Sequence, residues 1–309
     1  MNNKTIALLF FLVLFYQAVF AQQTILTDSN LPIMVITTDI DPNTNAPTEI
    51  PDEPKILATM QLIFRPDGTR NYLTDITNDS YLNYNGRIGI ELRGSSSQVL
   101  DKKPYGFTTL LEDDDSNNNV SLLGMPSEND WVLNSLAYDP SMIRDYLSYT
   151  LAANMGNYAP RVKYIEVIVN DDYKGVYILT EKIKRDSDRV NLKKIDDEDT
   201  DLPEVTGGYI VKADKTTGGD EVAWTMPNYG GWETDFLHHY PKTEDITTEQ
   251  AAYIETVFRD LETQTNLANA SIINGYPSII DVPSFVDYMI VAEIASNPDS
   301  YQFSTFFHK

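Results

Sequence analysis

Four stretches of the chain carry side chains suited to phosphate chemistry, and each also has an ordinary structural reading. Glu91-Leu92-Arg93-Gly94-Ser95-Ser96-Ser97 runs from an alternating strand into a turn of Gly and Ser. Such a turn can offer backbone N–H groups and hydroxyls to an anion, though small polar turns between strands are common. Lys102-Lys103 follows on the outgoing strand. An ammonium beside a phosphate loop neutralises the phosphates of a nucleotide; otherwise both lysines are solvated. Gly175-Val176-Tyr177-Ile178-Leu179-Thr180-Glu181-Lys182-Ile183 turns polar where the chain leaves its sheet. That exit can bond a purine edge through its backbone while Glu181 meets a polar partner, or the charges merely end a strand. Asn297-Pro298-Asp299 follows a helix. A carboxylate held in such a loop suits general-base work or metal coordination through oxygen, and it equally suits a helix stop.

The elements that must position these groups follow from periodicity. Leu31 to Thr37 and Ala58 to Phe64 read as strands, the second ending at the turn Pro66-Asp67-Gly68-Thr69. Arg87 to Arg93 alternates polar and apolar residues, the pattern of a half-buried strand, and Lys102 to Thr108 is strand-like. Glu112 to Asn119 is an acidic turn. Ser141 to Met155 reads as a helix capped by Ser141 and stopped by Gly156. Tyr164 to Val169 and Lys174 to Thr180 form a hairpin around Asn170-Asp171-Asp172-Tyr173, and Gly207 to Lys212 is a further strand. One late helix starts near Thr248 and covers Ala251 to Leu261. A second starts at Asp281, carries Pro283 in its first turn and ends at Pro298.

Composition narrows the setting. Lys4, the apolar run Ile6 to Phe20, and small residues Val19 and Ala21 before Gln22 form a secretory signal peptide, residues 1–21. A membrane anchor is the competing reading, but Tyr16 and Gln17 interrupt the run, which falls short of the ~20 residues a span needs. No later stretch is long and apolar enough to cross a bilayer. The expected location is therefore secreted or at the cell surface, with no membrane span after cleavage. Residues 22–55 read as an N-terminal strand segment and 56–309 as the main domain, α+β, with neither repeat nor linker. A formal charge of −23 argues against nucleic acid as a partner, because phosphate neutralisation needs a surplus of Lys and Arg. The chain has no cysteine, which excludes thiol nucleophiles, Cys-based zinc sites and disulfides.

Taken in order, the motifs resemble the CotH (spore-coat H) kinase-like family. They are Ile90 to Ser97, Lys102-Lys103-Pro104-Tyr105, Leu122 to Pro126 with Asn129 to Leu133, Gly175 to Ile183, Thr206 to Tyr209, and Asp281 through Thr305. The resemblance covers roughly residues 30–309. It implies an atypical secreted protein kinase with a two-lobed, protein-kinase-like fold, transferring the γ-phosphoryl of ATP to Ser or Thr of surface or coat proteins with Mg or Mn. On that analogy Arg93, Gly94, Ser95 and Ser96 lie over the phosphates and Lys103, or else Lys102, pairs with them. Leu179 to Lys182, with Glu181, flank adenine. Asp299 is the catalytic and metal-binding carboxylate with Asn297 beside it, and helix 141–155 takes the place of the regulatory helix. Such chemistry asks for positioning and charge neutralisation rather than a covalent nucleophile.

The sequence departs from the family's pattern around Asp299, where Ala292, Ser296 and Ser300 replace the usual Asn, Lys and Gly. The family continues with a Trp-Asp-Phe-Asp-like segment whose first Asp is a metal ligand. The chain ends at Lys309 before it, so the resemblance implies a C-terminally truncated domain with little transfer activity. Two other readings stand beside the kinase. One is a non-catalytic surface or coat structural protein that retains the fold. The other is a carbohydrate-associated adhesion module using Trp224, Tyr229 and Trp232. Ser-His-Asp hydrolysis is disfavoured, because no Gly-x-Ser-x-Gly elbow accompanies His238, His239 or His308. The histidine pair lacks the i, i+4 spacing of a helical zinc site. The acidic run Asp196 to Asp201 lacks the Gly of a calcium loop.

Overall fold

The computed structural model describes residues 25–216, 220–228 and 230–309; the leader 1–21 and Tyr229 lie outside the described residues. Seven strands close into a barrel: β1 (Ile33–Thr38), β2 (Ile56–Ile63), β3 (Leu82–Leu92), β4 (Tyr105–Leu110), β5 (Asp130–Asn134), β6 (Val162–Val169) and β7 (Asp172–Glu181), in the order β6-β7-β5-β4-β3-β2-β1. Six neighbouring pairs are antiparallel, and the seventh, β1 with β6, is parallel. A ring with an odd number of strands cannot alternate direction all the way round, so one parallel pair is unavoidable. Segment 22–55 supplies the strand that makes it. Closure leaves no strand edge unpaired along the barrel wall.

Alternation places one face of each strand inside. Met34 and Ile36, Met60 and Leu62, Ile88 and Ile90, Tyr105 and Phe107, Trp131 and Leu133, Ile165 and Val167, and Tyr177 and Leu179 fill the interior. Each is buried, and full burial of such a side chain contributes about 1.5–3 kcal/mol. The β6–β7 hairpin turns through Asn170 and Asp171, both at positive φ (50° and 63°), the conformation whose twist matches flanking strands. Asn170 also locks the closing seam: its Oδ1 accepts from Thr38 N at 2.9 Å, and its N–H donates to Ile36 O.

A second, open sheet holds β8 (Ile210–Ala213), β9 (Trp224–Pro227), β10 (Glu233–Tyr240) and β11 (Thr305–His308) in the order β9-β10-β8-β11. Helix α2 (Thr248–Asn266) covers it, with Ile254 and Phe258 packed against Trp224, Phe236 and Phe307. Thr247 and Gln250 form a reciprocal capping box at its start, and Gln250 Nε2 donates to Asp196 O at 2.8 Å, pinning the acidic loop. Helices α1 (Arg144–Asn154) and α3 (Val282–Ala295) pack on each other, joined at one end by Asn157 Nδ2 donating to Asp287 Oδ2 at 2.8 Å. No described helix is long and apolar enough to cross a membrane.

Two local expectations need correcting. Ser141 does not cap α1; Asp139 does that work, its Oδ2 accepting from Arg144 N at 3.0 Å while its Oδ1 accepts from Ser141 Oγ at 2.6 Å. Trp224 is no exposed stacking residue: it is buried against Phe236 at 5.4 Å between ring centroids, leaving Trp232 as the exposed aromatic of that pair. A β-hairpin, β9–β10, organises the region, because its alternating apolar residues face α2.

Candidate functional site

The outward face of β3, β4, β5 and β7 carries a concentration of charge. Register explains the gathering. Glu91 pairs with Gly106, Gly106 with Val132, and Thr180 with Val132, which forms one outward row. Gly89 pairs with Thr108 and Thr108 with Asp130, which forms the next. Lys55, just before β2, reaches into both: its Nζ donates to Thr108 Oγ1 at 2.6 Å and lies 3.8 Å from Glu91 and from Asp130. Lys184, beyond the end of β7, donates to Asp130 at 2.7 Å and to Glu128 at 2.9 Å.

The electrostatics follow from that wiring. Burial would push the Asp130 carboxyl up, but hydrogen bonds from Lys184 and Thr108, with Lys182 nearby, outweigh it and hold the group at about 2. Glu91 goes the other way: burial raises it, and Lys55 only partly offsets the rise. Lys182 is lowered, first by burial and further by the cations Lys55, Lys184 and Arg93, against the pull of Asp130. Arg93 is likewise lowered by burial, opposed by Tyr149 of α1, by Asp214 at the end of β8, and by Glu91. Both cations remain open to solvent although protein crowds them. Arg93 therefore stands where barrel, α1 and second sheet meet.

The turn after β3 has the features of an anion cradle. Gly94 sits at φ +84°, a conformation costly for any residue with a side chain. The N–H groups of Gly94, Ser95, Ser96 and Ser97 find no acceptor among the described residues. Ser95 and Ser96 are exposed. Lys103 braces this turn, its Nζ donating to Gln98 O at 2.6 Å. Lys102 donates to Val176 O and lies over the Tyr177 ring, 4.7 Å from its centroid. Both lysines are thus committed to backbone carbonyls.

Glu181 is on the inward face past Leu179 and is fully enclosed. Arg189 lies 3.2 Å from its carboxylate and Arg161 3.1 Å, and the Arg161 N–H donates to it at 2.8 Å. Arg189 is itself 1% exposed. Asn297 and Asp299 lie in the loop beyond α3, whose C-cap Ser296 is left-handed at φ 51°. Asn297 Oδ1 accepts from Asp299 N at 3.1 Å, which shapes the turn and leaves the exposed Asp299 carboxylate without a partner among the described residues. Phe303 of the same loop packs under Lys215, the residue after Asp214, at 4.6 Å from ring centroid to Nζ. That contact links the Asp299 loop to the β8 terminus, which in turn is in electrostatic reach of Arg93.

Sequence reasoning named Arg93, the Gly-Ser turn and the two loop residues, and it missed Lys55, Thr108, Asp130 and Lys184. The outward position of Asp130 was open to reading from alternation in Asp130-Trp131-Val132-Leu133. Lys55 carried no local signal, because only strand pairing brings it there.

A closed barrel joined to a four-stranded sheet, with few helices, makes this a mixed α+β protein. Residues 90–309 match the family described as CotH kinase protein, and the chain belongs to that family. The match begins within β3, so β1 and β2, which close the barrel, precede it. No protein of curated function matches the chain.

Proposed function

We propose that this is an atypical secreted or surface protein kinase that transfers the γ-phosphoryl of ATP to Ser or Thr hydroxyls, with the barrel and the second sheet acting as its two lobes. One observation carries the reading: a turn with four unbonded N–H groups lies beside Arg93, inside the region matched to a kinase family. Backbone N–H groups and a guanidinium are the donors that phosphate oxygens take. Arg93, Gly94, Ser95 and Ser96 bind and orient the phosphates, and Lys103 holds their turn in shape. Asp299, exposed and without a partner for its carboxylate among the described residues, accepts the proton of the acceptor hydroxyl.

A divalent ion in a nucleotide site is held by one or two carboxylates together with phosphate oxygens, and it neutralises charge that develops during transfer. The described residues include no group of three His, Cys, Asp or Glu able to hold a metal alone. Asp299 offers one free carboxylate, with Asn297 beside it, so the fit extends to a site completed by the nucleotide.

The test is calorimetry of ATP with and without Mn²⁺, followed by transfer from labelled ATP to a Ser/Thr-rich acceptor by the full-length protein. Binding, with transfer abolished in Asp299→Ala and secondary structure unchanged, is the expected result. Absence of nucleotide binding would leave the structural-protein reading in its place.

A further inference from the structure

Four cations surround the outward charge cluster at Asp130, namely Lys55, Lys184, Arg93 and Lys182, but only two of them have partners among the described residues. Lys55 is set against Glu91 and Asp130, and Lys184 against Asp130 and Glu128. Neither Arg93 nor Lys182 makes a side-chain hydrogen bond or ion pair among the described residues, although each is crowded by protein. Arg93 and Lys182 lie on the same outward face, on either side of the row Glu91-Gly106-Val132-Thr180. The strand between them is pared down. Gly106 stands in the row between Arg93 and the level of Lys182, and a Cβ there would lie 3.4 Å from Glu91 Oε1 and 4.0 Å from Arg93 Cβ. The side chains of Glu91 and Arg93 lie over this glycine, which lets both sit close against the sheet.

We infer that Lys182, together with Arg93, forms a polyphosphate-binding pair on the outward face of the barrel beside the Gly94 turn, and that Lys182 rather than Lys103 is the lysine that meets the phosphate chain. This rests on the kinase reading for the identity of the nucleotide, but not for the anion site itself. A guanidinium and an ammonium on one face can take oxygens of successive phosphates, with the Gly94 turn donating from the backbone. Phosphate oxygens replace solvent around two crowded charges, which is where a charge-assisted hydrogen bond is strongest. The neighbouring carboxylates Glu91, Asp130 and Asp214 oppose an anion. Two of them are already matched by Lys55 and Lys184, and a divalent ion on the phosphates would offset the remainder.

The probe is inorganic tripolyphosphate, titrated by calorimetry into the full chain in the absence of metal. Lys182→Gln and Arg93→Gln are each expected to weaken binding at least ten-fold. Lys242→Gln, a matched loss of one exposed charge on the turn after β10, is expected to change it less than two-fold. Equal weakening by all three variants would mean a diffuse charge effect and would overturn the inference, as would wild-type binding by Lys182→Gln. Circular dichroism of each variant separates lost binding from lost fold. ATP bound and transferred by Lys182→Gln as by the wild type would sink this inference and leave the kinase reading standing. Lys182-dependent tripolyphosphate binding without any ATP binding would do the reverse.

Discussion

Two ionic networks lie at opposite faces of the same strand end, and they have been solved differently. On the inward side Glu181 is enclosed by Arg161 and Arg189, and every charge is answered. On the outward side, one residue later, Lys182 is crowded but has no side-chain partner among the described residues, and neither has Arg93. A solvated charge can stay unpaired at little cost, and it keeps its donors free for a ligand. The first network holds the barrel end together, and the second leaves two cations free of side-chain partners among the described residues. A one-residue step along β7 separates them, because side chains of a strand alternate faces.

That contrast can be broken most forcefully at Glu181. Replacing it by Ala leaves Arg189 buried with only its weaker partners Asp186 and Glu128, and a loss of about 3–5 kcal/mol is expected in urea unfolding. A loss under about 1 kcal/mol would show that the inner network is not structural. Next comes Asp130, the anchor of the outer network. Its native value of about 2 lies below the unfolded carboxyl value of 3.8, so its stabilisation is complete above pH 3.8 and disappears as pH falls toward 2. The amount at stake is about 2 kcal/mol. Asp130→Asn should remove that part of the acid sensitivity between pH 4 and pH 2; an unchanged pH profile would refute the assignment.

Smaller effects sharpen the comparison. Gly94→Ala must place a Cβ at positive φ, 2.3 Å from Ser97 Oγ, and is expected to lose about 1 kcal/mol while weakening phosphate binding through the distorted turn. Intact binding in that variant would remove the turn from the site. The smallest change in stability belongs to Lys182→Gln, expected within about 0.5 kcal/mol of the wild type, because no partner loses a contact. A large destabilisation there would reveal an ion pair and place Lys182 with Glu181 among the structural charges.

Much of the framework was legible. Alternation in Arg87 to Arg93 and the paired runs around Asn170-Asp171 mark β3 and the β6–β7 hairpin, since a period of two leaves little choice of face. Helix α3 was readable from Pro283 in its first turn and Pro298 beyond its end. The β9–β10 hairpin was not, because Trp224 reads as a surface aromatic until α2 is placed over it. At the site, the Gly-Ser turn was visible as a string of residues, whereas the roles of the lysines were not. Lys102, Lys103 and Lys182 are chemically identical, and sequence proximity to the turn favours Lys103.

By itself, then, the order of residues determined which segments form strands and which faces they bury, because local sterics and hydrophobic period act over a few residues. It also carried the family, through motifs that are contiguous. Only the tertiary structure decided that the strands close into a ring, that Lys103 is spent on Gln98 O, and that Lys55 and Asp130, 75 positions apart, share one face. Those outcomes depend on strand pairing at long range, and a side chain's freedom to bind a ligand depends on which neighbours have already claimed it.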